Sequence, residues 1–150
     1  MNILIVCTGN TCRSAMAEGF LKHVFKEKNM TIVSAGTGAV NGIKASEKAI
    51  EIMKDNGIDI SQHRSSFVND EKVETADIIV VMETIHKEYL LKKYPEIKDK
   101  LFLFRVFAKD GSSEIPDPCG QDKEIYEKIF EIIKRSTEGF KKWMEQRQLL

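Results

Sequence analysis

Short apolar, β-branched runs alternate along this chain with longer stretches whose apolar residues recur at helical spacing. That alternation restricts the fold more than any other feature, because strands interleaved with helices pack as a parallel sheet covered on both faces. The strand candidates are Asn2–Val6, Thr31–Ser34, Ile78–Met82 and Leu101–Phe104. Between the first two, Met16, Ala17, Phe20, Leu21, Val24 and Phe25 fall on one helical face. Lys44–Asn56 repeats the pattern with Ala45, Ala49, Ile52 and Met53 ahead of Gly57. A last helix, from about Lys123 to Glu145, gathers Tyr126, Ile129, Ile133, Phe140 and Trp143 on one side, a stripe that reads as core. The expected order is β-α-β-α-β-α-β-α, an α/β three-layer sandwich with a four-stranded parallel sheet flanked by helices. A length of 150 residues suits one domain over 1–150, and no stretch reads as a linker.

In such a sheet, ligands bind beyond the carboxyl ends of the strands, where the strand order reverses. At that end of the first strand the chain reads Cys7-Thr8-Gly9-Asn10-Thr11-Cys12-Arg13-Ser14 and passes at once into a helical stretch. A turn between a strand and a helix N-terminus points backbone N–H groups inward, and the helix dipole adds partial positive charge there, so the segment suits a phosphate. The same field is expected to lower the pKa of Cys7 and make it a nucleophile, while the fork of Arg13 grips two phosphate oxygens. Gly9 and Asn10 tolerate positive φ, and Ser14 reads as the helix N-cap. Taken alone, a cysteine after a buried strand is an apolar filler and an arginine in a first helical turn is solvated; the strand before and the helix after carry the chemical reading. The chain has no Gly-Lys-Ser/Thr after the loop and no Gly-x-Gly-x-x-Gly, which argues against nucleoside triphosphate and dinucleotide binding.

Cleavage of a phosphate by sulfur leaves a poor leaving group unless a proton reaches it in the transition state. Asp117 is the candidate acid. It stands between Pro116 and Pro118, which restrict its backbone. By itself an Asp-Pro is more often a turn leading into a helix.

With Met-Ala-Glu at 16 to 18, Ser-Ala-Gly-Thr at 34 to 37 and Asp-Pro at 117 to 118, the loop sequence resembles the low-molecular-weight protein tyrosine phosphatases over nearly the whole chain. That family includes bacterial protein arginine phosphatases and is similar to thiol-dependent arsenate reductases. The resemblance implies a phosphocysteine route: Cys7 attacks phosphorus, Asp117 protonates the leaving group and then activates water, and Arg13 with the amides of residues 8–14 holds the transferring group without metal or cofactor. It also implies that His63, with Asn10, Ser14 and Ser34, braces the loop. Phosphorylated protein side chains are the implied substrates.

Which side chain is a finer question. Tyrosine-specific members carry a branched aliphatic residue where Thr11 stands, a tryptophan near Val40 or Asn41, and aromatics after Asp-Pro, where this chain has Cys119. The arginine-specific branch resembles the chain in its loop threonine, in Asn41-Gly42 and in His86-Lys87, although it too keeps an aromatic at position 119. Ala15 replaces the family's common proline. Phosphoarginine is the favoured substrate and phosphotyrosine the alternative. The arsenate reductases use two further cysteines near the third strand, and residues 78 to 100 contain none. A non-catalytic phosphoprotein-binding module remains as a last reading.

Lys plus Arg equals Asp plus Glu at 23 each, so no global field recruits nucleic acid or an anionic membrane. The apolar runs are only strand-sized and no charged leader precedes Asn2, which points to a cytoplasmic protein. Three cysteines fit neither a disulfide framework nor a zinc site, and His23, His63 and His86 are scattered. Cys12 lies close enough in sequence to trap an oxidised Cys7 as a disulfide; equally, it packs beneath the loop. The oligomeric state is left open.

Overall fold

The computed structural model describes residues 1–150. Four strands, β1 (Asn2–Cys7), β2 (Thr31–Gly36), β3 (Ile78–Val81) and β4 (Leu101–Leu103), form one sheet in the order β2-β1-β3-β4. All neighbours are parallel. Five α-helices connect and cover them: α1 (Arg13–Val24), α2 (Glu47–Asp55), α3 (Asp70–Thr75), α4 (Thr84–Lys93) and α5 (Lys123–Gln146). Short 3-10 turns at Pro95–Lys100 and Phe104–Ala108 flank β4. No helix is long and apolar enough to cross a membrane.

The side-chain alternation of β1 divides the core in two. Ile3, Ile5 and Cys7 join a cluster with residues of α1, α2 and α5, while Leu4 and Val6 join a second cluster with Val73 of α3 and Leu90 of α4. Period two on a strand sends successive residues to opposite faces, so a strand covered on both sides must be apolar throughout. The run Ile-Leu-Ile-Val meets that demand.

The differences from the sequence expectation are local. Helix α1 begins at Arg13 with Cys12 at its N-cap, and Ser14 is the second helical residue rather than the cap. Its hydroxyl turns back to Cys7 instead of onto its own helix. Because no side chain caps this terminus, the first amides open toward the loop. Helix α2 starts three residues later than Lys44, where Ser46 accepts from the Ala49 N–H at 3.2 Å; Lys44 pairs with Arg64 in an isolated bridge. Helix α3 carries no sequence signal, since its six residues bury one apolar side chain, Val73, and so show no period.

The long helix α5 packs against the 3-10 turn Phe104–Ala108 through aromatic contacts, with Phe107 centred 5.1 Å from Phe140 and 5.3 Å from Trp143. A Cβ on Gly139 would stand 1.7 Å from the Phe107 carbonyl oxygen, so helix and turn meet backbone to backbone.

Candidate active site

Strand order reverses between β1 and β3, and the residues singled out at the loop converge beyond the carboxyl ends of those strands. Asn10 takes a left-handed backbone with φ of 58°; Gly9 does not need one. The Asn10 side chain is buried and fully used. Its Nδ2 donates to Ser14 Oγ at 2.7 Å and Ser34 Oγ at 2.9 Å, and its Oδ1 accepts from the Ser66 N–H at 2.8 Å.

These contacts set the direction of a polar chain. Ser34 Oγ donates to Glu18 Oε2 at 2.7 Å, because that carboxylate can only accept. Ser14 Oγ, already accepting from Asn10, turns its hydrogen toward Cys7 Sγ at 2.8 Å. The Asn10 N–H also donates to the sulfur, at 3.3 Å. His63 closes the ring, with Nε2 at 2.7 Å from the Asn10 carbonyl and Nδ1 at 3.2 Å from Glu18 Oε2. Both partners are acceptors, so each contact is a hydrogen bond when the ring nitrogen facing it carries a proton. Burial alone would push the Glu18 carboxyl up, but hydrogen bonds from His63, Ser34 and Lys22 overcome it and hold it down at about 2.

Cys7 corrects the sequence expectation. Burial of its sulfur pushes the thiol pKa up, against the Ser14 hydrogen bonds, the Arg13 charge and the Asn10 N–H, which pull it down, and the net direction is upward. The sequence reading counted the dipoles of the loop but not the desolvation of a side chain that is 2% exposed. The groups able to solvate a thiolate are nonetheless in place.

Arg13 is likewise 2% exposed. Its Nη1 donates to Glu83 Oε2 at 2.5 Å and to the Ile115 carbonyl at 2.8 Å. That pairing leaves Nη2 and Nε without protein partners in hydrogen-bond range. Asp117 Oδ2 lies 4.0 Å from Nη2 on a half-exposed side chain, and its Oδ1 accepts from the Cys119 N–H at 3.0 Å. The Ile115 N–H donates to the Met82 carbonyl at 2.9 Å, so the segment bearing Asp117 is stitched to the end of β3.

Thr11 is partly buried; its carbonyl accepts from the Ser46 N–H at 2.9 Å. Cys12 Sγ sits 3.3 Å from Tyr126 Oη and 3.4 Å from Ser46 Oγ, and none of the three cysteines is in a disulfide. Burial and the contact with Cys12 push the Tyr126 hydroxyl up to about 12.

The structure thus brings Cys7, the residues of the loop, Arg13, Ser34, His63 and Asp117 together. Sequence reasoning placed Glu83 at the rim of the crevice, at the end of the third strand, but gave no role to Glu18, His86, Ser66 or the Ile115 carbonyl. Glu18 stood inside the quoted Met-Ala-Glu and His86 inside His86-Lys87, but a motif names a residue without naming its partner.

The low molecular weight phosphotyrosine protein phosphatase family profile matches residues 2–149. The chain belongs to that family. As a family member it is a protein phosphatase, a hydrolase of phosphorylated protein substrates. A protein-arginine-phosphatase from Geobacillus stearothermophilus is 38% identical over 124 residues, 83% of this chain and 82% of that protein. The low molecular weight protein-tyrosine-phosphatase Wzb of Escherichia coli (strain K12) is 33% identical over 136 residues, covering 91% and 90%. Among solved structures, the YwlE arginine phosphatase from Geobacillus stearothermophilus superposes with a TM-score of 0.91 at 33% identity, over 99% of this chain and 95% of that one. A YwlE arginine phosphatase mutant described as having a phosphorylated active site serine superposes with a TM-score of 0.90 at 29% identity, over 97% and 96%. Members of the family in both substrate branches therefore resemble this phosphatase.

Proposed function

We propose that this phosphatase hydrolyses phosphoarginine in proteins through a phosphocysteine intermediate. Cys7 attacks phosphorus as the thiolate, accepting from the Ser14 hydroxyl and the Asn10 N–H, while the free Nη2 and Nε of Arg13 hold two equatorial oxygens. Asp117 gives its proton to the departing guanidine nitrogen, so that the phosphorus–nitrogen bond breaks as the sulfur–phosphorus bond forms. Ionised Asp117 then takes a proton from water, and the oxygen displaces sulfur to release inorganic phosphate. The phosphorylated serine of the YwlE mutant supports a covalent intermediate at the equivalent step.

The observation that carries the substrate reading is a carboxylate beside the site that no cation neutralises. Glu83 is paired with Arg13 and Asp117 is the proton donor, but Glu114, whose Oε2 accepts from the Thr84 N–H at 2.7 Å at the start of α4, has no ion-pair partner. A free negative charge there suits a cationic guanidinium leaving group over a neutral phenol. Thr11, and the lack of an aromatic at Val40, Asn41 and Cys119, remove apolar surface that would sandwich a phenyl ring.

The test compares turnover of phosphoarginine and phosphotyrosine peptides by wild type and by Thr11→Ile. Wild type is expected to favour phosphoarginine, and the substitution to move the ratio toward phosphotyrosine. A wild-type preference for phosphotyrosine overturns the assignment, and an unchanged ratio removes position 11 from it.

A further inference from the structure

His86 is buried and hydrogen-bonded on both ring nitrogens, yet the phosphocysteine route gives it no part. Its Nδ1 faces the backbone N–H of Glu83 at 3.1 Å, a group that can only donate, so Nδ1 is bare and the single ring proton sits on Nε2. That Nε2–H points at Thr8 Oγ1 at 2.7 Å. Burial and the neighbouring Arg13 charge hold the ring pKa down at about 4, which keeps this one-proton form through the neutral range.

Thr8 is the first residue of the loop after Cys7, and Arg13 is the last. Both are gripped by the start of α4. His86 holds Thr8, Glu83 holds Arg13 Nη1, and the two gripping residues, three positions apart, are tied to each other by the Glu83 N–H. One helical turn therefore fixes both ends of the loop with respect to β3, from which α4 departs.

We propose that His86 is a positioning residue for phosphoryl transfer, latching the Thr8 end of the loop while Glu83 latches the Arg13 end. The contact matters to catalysis because the inward amides of a phosphate loop act only if they are held where the transferring oxygens will be, and a displacement of about 1 Å can reduce the rate on the order of a hundredfold. Thr8 is exposed, and its methyl carbon would lie 3.5 Å from a Cβ built on Gly38, so its oxygen faces His86 and its other side faces a neighbour without a side chain. The hydroxyl consequently has little to do with core packing.

That exposure makes the test clean. Thr8→Val keeps the shape and deletes only the acceptor; His86→Ala removes the latch; His86→Gln retains a donor near the Nε2 position. The readouts are kcat/KM for para-nitrophenyl phosphate, the inhibition constant of inorganic phosphate as a probe of the loop, and Tm. Thr8→Val is expected to lower kcat/KM about tenfold, the size of one lost hydrogen bond, and to weaken phosphate inhibition, with Tm unchanged. The double variant Thr8→Val/His86→Ala should be no slower than His86→Ala alone, and His86→Gln should recover activity over His86→Ala. Wild-type kcat/KM and phosphate inhibition in Thr8→Val, or losses that simply multiply in the double variant, overturn the latch. Should His86→Ala fail to fold, Thr8→Val alone decides. The proposal rests on reading residues 7–13 as the phosphate loop, so Cys7→Ser is run beside it: turnover by that variant defeats the loop reading, whereas a dead Cys7→Ser with a fully active Thr8→Val defeats only the latch.

Discussion

Asn10 holds together two functions that pull in different directions. Its left-handed backbone turns the loop, and its amide hydrogens orient Ser34 toward Glu18 and Ser14 toward Cys7. The Cys7 sulfur is consequently served by two donors in a place where burial opposes its charge. Removing one donor exposes that opposition. Ser14→Ala is expected to move the Cys7 pKa further up, because the contact deleted is one that lowers it, and to reduce kcat/KM on the order of tenfold or more. Iodoacetamide alkylation of Cys7 followed across pH reads the first effect directly; a pKa that stays or falls in Ser14→Ala would show that the hydroxyl is not the donor to sulfur.

Two glycines mark where whole elements approach without side chains. A Cβ on Gly36, at the end of β2, would stand 2.2 Å from the Thr8 carbonyl oxygen, and one on Gly139, in α5, 1.7 Å from the Phe107 carbonyl oxygen. Both clashes are with backbone, so an element must move. They differ in what moves. Gly139→Ala pushes α5 away from Phe104–Ala108 at the far side of the core and should destabilise by about 3 kcal/mol, with kcat/KM of the remaining folded protein near wild type. Gly36→Ala presses on the loop itself and should reduce kcat/KM well beyond its effect on stability. Urea unfolding and aryl phosphate turnover on both variants separate the two outcomes, and equal loss of activity at equal stability would refute the distinction.

For the molecule as a whole, one buried and one half-buried group, His86 and Glu18, make the fold sensitive to acid. His86 sits at about 4 against an ordinary 6.5, so the unfolded chain takes up its proton first, and the associated stability is intact above pH 6.5 and lost as pH falls toward 4. Glu18 sits at about 2 against an ordinary 4.5, so its contribution is present above pH 4.5 and lost as pH falls toward 2. Each corresponds to on the order of 3 kcal/mol. Denaturant unfolding is expected to show a first decline in stability between pH 6.5 and 4 that disappears in His86→Gln, followed by a second below 4.5. A first decline of undiminished size in His86→Gln would mean that another group carries it.

Much of this was legible in the chain. The four apolar runs became the four strands because a strand buried on both faces has to be apolar at every position, and the loop of residues 7–14 could be read because strand, turn and helix start are contiguous. Helix α5 was bounded within one residue of its observed end by its long apolar stripe. The rest depended on contacts that leave no local period. Arg13 meets the Ile115 carbonyl across 102 positions and Thr8 meets His86 across 78, and neither spacing has any pattern a sequence can display. The sense of the Cys7 shift belongs to the same class, since the dipoles that lower it lie in the loop while the desolvation that raises it comes from packing distant parts of one core cluster around the sulfur. Sequence alone thus determined which chemistry the loop is shaped for; the tertiary structure decided which distant side chains hold it and how strongly burial opposes it, because both are properties of neighbours in space rather than along the chain.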